Sequence, residues 1–224
     1  MLEKLLRKEG LAVAAGTMLI YTSVYFFERG YCSRLNIPLD YIEISIPTIA
    51  NDLMYCFVFT LLIAISSMVI MITAEKKGFK GFYSLAPFYC WIVYSAVLFY
   101  SMEHTWKNAG ASIFLGGLFF HLIFPPEKTD ESSPKLSLHY SSVIRYSMAL
   151  FLASTTFAIY GSSFAADSTF DTYTHNGKHY ALLKVYGENV FMQEIVSDKR
   201  LSEVTYFNAQ NMTGMTLKKG VIKR

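Results

Sequence analysis

The chain has 224 residues, of which 53% are hydrophobic, 16% aromatic and 17% charged, with three cysteines and a formal net charge of +3. This composition excludes a disordered tail, a collagen-like repeat and a small disulfide scaffold, and a soluble α/β enzyme of this size would carry about a quarter charged residues. The basic excess is too small and dispersed for a nucleic-acid footprint, and a mean hydropathy of +0.31 points to a membrane protein.

In chain order, five stretches lack Asp, Glu, Lys and Arg: Gly10–Phe27, Leu53–Ala74, Gly81–Met102, Asn108–Pro126 and Tyr146–Ala166. Each approaches the roughly 20 apolar residues a helix needs to cross about 30 Å of hydrocarbon. The expected fold is a membrane α-helical bundle of four to five transmembrane helices with a small C-terminal antiparallel β domain, divided at 1–166 and 167–224. The first run follows Lys4, Arg7 and Lys8 and closes on Tyr25, Phe26 and Phe27 in place of a small-residue cleavage site, so it reads as an uncleaved signal anchor. The glycine-rich fourth run, with Gly110, Gly116, Gly117 and His121, is either a span or a re-entrant segment.

Lys4, Arg7, Lys8, Lys76, Lys77, Lys80, Lys128, Lys135 and Arg145 fall on one side of this alternation, and only Arg29, Arg34 and Lys107 on the other. That bias predicts a multi-pass bacterial inner-membrane protein with a cytoplasmic N-terminus. With five crossings the C-terminal domain lies outside the cell; with four it is cytoplasmic.

Residues 28–52 mix acids with apolar side chains and repeat Ile-Pro at Ile37-Pro38 and Ile46-Pro47. They predict an interfacial loop at headgroup depth. Within it Glu28, Arg29, Tyr31, Arg34, Asp40, Tyr41 and Glu43 are the candidate interaction or pore-mouth residues. Glu28, Asp40, Glu43 and Asp52 would form an acidic ring in an oligomeric cation channel. Cys32 would face the oxidising side, either as a free thiol or as a link between protomers. Residues 125–140 are a polar linker and need no structure.

From Asp167 onward the chain reads as four or five short strands. Asn176-Gly177 is the pair that a type I′ hairpin demands, Tyr180–Val185 and Val190–Val196 flank a second turn at Gly187, and 197–200 and 211–214 mark two more. A domain this small without disulfides is marginal alone, so it is expected to pack on the helical domain or on copies of itself.

No nucleotide loop, nucleophile elbow or zinc-protease motif is present, and the five histidines are scattered. His175 and His179 straddle a predicted hairpin, away from the helical spacing of a metal pair. The expectation is a protein that is not an enzyme, with no catalytic, cofactor-binding or metal residues and no direct nucleic-acid binding.

Tyr25-Phe26-Phe27-Glu28-Arg29-Gly30-Tyr31 followed by Asn36-Ile37-Pro38-Leu39-Asp40-Tyr41-Ile42, and Tyr180 through Gly187, resemble elements of small bacterial multi-span membrane proteins of mostly unassigned activity. By general size the chain also resembles the membrane subunit of the Kiwa anti-phage defence system. The resemblance implies a non-catalytic sensor or anchor subunit that contacts membrane lipid, forms homo-oligomers and couples to a cytosolic effector protein. The alternative is an oligomeric ion channel or pore.

Overall fold

The computed structural model describes residues 2–55, 65, 69, 80–123, 135–197, 199–212 and 215–222. Most of the expected span 53–74, Lys76, Lys77 and the linker segment 125–134 lie outside the described residues. The helices are α1 (Leu2–Leu35), α2 (46–55), α3 (Lys80–Tyr100), α4 (Trp106–Ile123) and α5 (Lys135–Asp167). The strands are β1 (Phe170–His175), β2 (Lys178–Tyr186), β3 (Asn189–Val196), β4 (Lys199–Asn208) and β5 (Thr216–Ile222). Two compact units result, one made of Met1–Ala50 with Tyr160–Arg224 and the other of Asn51–Ile159.

In the first unit, α1 presents Val24, Phe27, Glu28, Tyr31, Cys32 and Leu35 as a buried stripe at three- and four-residue spacing. The helix stops because Asn36 takes a left-handed conformation (φ 59) and the Ile37 amide donates to the Cys32 carbonyl at 2.9 Å. That is a Schellman cap with asparagine in the glycine position, and Ile37 packs in the same core as Cys32 beneath it. Ser45 then starts α2, its hydroxyl accepting from the Thr48 amide at 3.3 Å.

The five strands form one antiparallel sheet in the order β4-β3-β2-β1-β5. Asn176 (φ 50) and Gly177 (φ 77) both take positive φ, as the type I′ hairpin requires. At the β2–β3 turn Gly187 (φ 54) has positive φ and Glu188 does not, the type II′ pattern. Ser197 (φ 51) follows β3 in a conformation that costs an L-residue about 1 kcal/mol. Ser197→Gly is therefore expected to raise stability by about 1 kcal/mol, read as a higher urea midpoint at unchanged slope.

One sheet face buries Phe170, Ala181, Leu183, Tyr186, Phe191 and Ile195 against Tyr31, Cys32, Leu35 and Ile37 of α1 and its cap and against Ala165 of α5. The other face gathers Tyr180, Val190 and Met192, with Tyr173, Leu182, Phe207, Met212 and Met215 packed on them. The tail thus packs on helices of its own chain, as a small disulfide-free sheet must. Where α5 meets α1, Gly161 lets the backbones touch, since a Cβ there would stand 1.9 Å from the Phe27 carbonyl oxygen.

In the second unit Tyr94, Leu98, Leu115 and Leu152 form the core. The Trp91 indole donates to the Ile113 carbonyl at 3.0 Å, and Tyr94 stacks on Phe119 with ring centroids 4.3 Å apart. The Tyr94 and Thr156 hydroxyls are 2.5 Å apart. Gly116 makes room for Ser95 and Trp91.

The expected bundle of four to five transmembrane helices is overturned. Among the described residues one helix, Ser147–Asp167, is long and apolar enough to cross a membrane by length and composition. The apolar part of α3, Phe88–Tyr100, falls short of that length. Helix α4 has only 18 residues and opens on Trp106, Lys107 and Asn108, which leaves too short an apolar run. The expected span 10–27 is the middle of a helix whose second half buries one face in protein, from Ser23 to Leu35. Charge-free runs marked the helices, but a run without charge is equally what a helix packed inside a protein requires.

Candidate interaction site

The candidate residues divide between the interior and the surface of the first unit. Glu28 has 0% exposure and Tyr31 is buried, whereas Arg29, Asp40, Tyr41 and Glu43 are exposed and Arg34 is half-buried. Glu28 therefore does not stand with Asp40 and Glu43 at a pore mouth. Positions 28–35, expected in the interfacial loop, are the last two turns of α1.

Glu28 lies in a polar cluster that α1 and β2 build together. The Lys184 ammonium contacts its Oε1 at 2.5 Å, and the Tyr186 hydroxyl donates to its Oε2. Cys32, one helical turn beyond Glu28, places its Sγ 3.0 Å from the Tyr186 hydroxyl. The single phenolic proton is committed to Glu28, so the thiol donates to the phenolic oxygen. The Tyr31 hydroxyl donates to the Leu183 carbonyl at 2.9 Å, and the Lys184 ammonium sits 4.9 Å from the Tyr31 ring centre. The carboxylate is thus countered by a cation and a hydroxyl, the condition under which a buried charge is tolerated.

A bulge in β2 puts Lys184 there. Leu182 pairs with Met192 and Lys184 with Phe191, which leaves Leu183 as an extra residue. Ala181 and Leu183 face the helices as alternation dictates; after the extra residue the parity changes, and Lys184 and Tyr186 face them instead of Val185. Re-aiming side chains in this way is a common consequence of bulges.

Burial, then the Glu28 carboxylate, then Cys32, push the Tyr186 phenol well above its ordinary value of 10.0. The folded protein keeps this proton where the unfolded chain releases it. Its contribution is whole below about pH 10 and drains away above it, by about 1.4 kcal/mol per pH unit. Tyr186→Phe should therefore flatten the alkaline fall in stability by the equivalent of one proton, measured by denaturant titration from pH 9 to about 11.

The surface residues form a second, adjoining arrangement. Leu39–Tyr41 is a single 3₁₀ turn, and the Tyr41 ring rests on Phe191 and Tyr206 at centroid distances of 5.3 and 5.9 Å. The Glu43 carboxylate lies over the β2–β3 turn, 2.9 Å from where a Cβ on Gly187 would stand. The loop carrying Asp40, Tyr41 and Glu43 is therefore laid across the sheet.

Lys184 and Tyr186 were not among the sequence candidates, and Cys32 was read there only as a thiol on the oxidising side. Two signals mark them: a lone lysine between Leu183 and Val185 in an apolar strand, and an acid, Glu28, in register with the apolar stripe of a helix. His175 and His179 are engaged separately, with Asn176 and Thr174. Among the described residues no three His, Cys, Asp or Glu side chains come together. Neither Cys32 nor Cys90 is in a disulfide, and Cys32, at 0% exposure, is not placed to link protomers. Comparisons with protein-family models, curated proteins and solved structures give no match.

Proposed function

We propose that the chain is a non-catalytic sensor or anchor subunit, held at the bacterial inner membrane through Ser147–Asp167, that couples to a cytosolic effector protein. The observation that supports this reading is the mounting of the sheet. β1 starts at Phe170, directly after the apolar helix ends at Asp167, and α1 straps both through one buried core. A force or ligand acting on the sheet or on the 36–45 loop would be felt by that helix without any chemical step. Phage defence, with homo-oligomers of this subunit in contact with lipid, is the setting that the likeness to the Kiwa membrane subunit suggests.

Two measurements test the reading. Alkaline carbonate washing of membranes should leave the chain in the pellet, and release into the wash would remove the anchoring. Purification from its native host in mild detergent should bring down a cytosolic protein in fixed ratio. Recovery of the chain alone, together with ion flux from liposomes that contain nothing else, would replace the sensor by a pore.

The loop gives a sharper test. Asp40→Ala with Glu43→Ala alters only exposed side chains, so expression and unfolding midpoint should stay within about 0.5 kcal/mol of the parent while effector coupling is lost. Unchanged co-purification of the effector by the double variant would remove this loop from the interface.

A further inference from the structure

We propose that Glu28, Lys184 and Tyr186 form a releasable latch between α1 and the sheet, with Cys32 as the thiol that release uncovers. The inference rests on the sensor reading for what release would signal. The geometry of the latch stands independently of it.

Apart from the Tyr31 hydroxyl on the Leu183 carbonyl, the rest of this interface is apolar: Leu35, Ile37, Ala165, Phe170, Leu183 and Ile195. Such surfaces hold firmly but specify position weakly, because apolar contact is non-directional. Into this surface the chain introduces one ion pair, and it needs a bulge to do so. Buried ion pairs add little net stability over an apolar pair of similar size, and their best-attested use is to set register or to switch. Here the Glu28 carboxylate has two directional contacts, both from β2, so the sheet reseats in a single register.

The two charges are not equally hidden. Glu28 is at 0% side-chain exposure and Lys184 at 23%, so water reaches the ammonium first when the strand moves away. Both groups are charged and both regain hydration on separation, which lowers the cost of opening relative to an interface that exposes only hydrocarbon. Tyr186 joins the parts: its hydroxyl donates to Glu28 and accepts from Cys32, so displacement of β2 breaks both contacts together. Cys32 is shut off from solvent while the latch is closed.

The test uses the full chain in native membranes, pulsed with N-ethylmaleimide and read peptide by peptide in a mass spectrometer. Cys90 is buried in the other unit and reports unfolding there. In the parent protein Cys32 should label slowly. Lys184→Met should accelerate Cys32 by at least about 100-fold while Cys90 keeps its parent rate. Glu28→Gln combined with Lys184→Met restores a neutral pair and should return Cys32 to the parent rate or below it. Equal acceleration of both cysteines, no acceleration of Cys32, or a double variant labelling faster than the parent would each overturn the latch. If Lys184→Met fails to accumulate, the double variant alone decides. A double variant that stays closed and still activates a co-purifying effector would also overturn the latch. Absence of any effector, with Cys32 released as expected, would refute the sensor reading and leave the latch standing.

Discussion

Lys184→Met is expected to lower the stability of the first unit by about 3–5 kcal/mol. The reason is an asymmetry. Lys184 itself is partly exposed, but the carboxylate it serves is fully buried. Methionine fills much the same volume, so the loss is electrostatic: Glu28 keeps the Tyr186 hydroxyl and loses its only cation within contact distance among the described residues. Glu28→Gln alone should be milder, because the ammonium left behind can turn toward water. The double variant Glu28→Gln, Lys184→Met should recover most of the loss, since removing both charges removes the unpaired one. A urea titration followed by circular dichroism measures all three, and a double variant no better than the worse single one would show that the pair is not coupled.

Gly161 carries the second large effect. An added Cβ would stand 1.9 Å from the Phe27 carbonyl oxygen and 2.8 Å from its carbon, and these are backbone atoms that cannot rotate aside. Gly161→Ala therefore forces α1 and α5 apart by more than 1 Å along their contact. That opens the packing of Phe27 and Tyr31 against Phe164, whose ring centres now lie 5.9 and 6.2 Å apart. A loss of about 3 kcal/mol is expected, although alanine is intrinsically the better helix former by about 1 kcal/mol. Gly117, with open space around it, is the control: Gly117→Ala should be neutral or stabilising. Comparable loss at both positions would mean that the close approach is not what makes Gly161 sensitive.

The hairpins were legible because their turns depend on local chemistry. Asn176-Gly177 and Gly187 are marked by residues that tolerate positive φ, and the strands they join were found within a few positions. β1 and β5 were less visible, since Asp171-Thr172-Tyr173-Thr174 and Lys218-Lys219-Gly220 lack the apolar alternation that betrays a strand. The expectation of four to five spans went astray for a different reason. Hydropathy counts what a helix carries and not what it lies against, and the stripe from Val24 to Leu35 lies against protein. Of the site, sequence identified the helical half, Glu28 and Tyr31, but assigned them to the surface. The strand half depends on a bulge, and a bulge is a mismatch between two strands that neither strand records by itself.

That mismatch makes residue count, more than residue identity, the vulnerable property of β2. Five substitutions spread along Ala181–Tyr186 would each disturb one side chain, but deletion of Val185 would close the bulge from the turn side, pairing Leu183 with Phe191 and Lys184 with Val190. Lys184 would then turn to the face now held by Val190 and Met192, away from Glu28, whereas deletion of Leu183 itself would leave Lys184 opposite Phe191 and Tyr186 opposite Asn189. A residue-by-residue alanine scan would pass over this dependence. Two one-residue deletions, at Leu183 and at Val185, would expose it, because only the second carries the lysine across the sheet, much as frameshifts reveal the reading of a code.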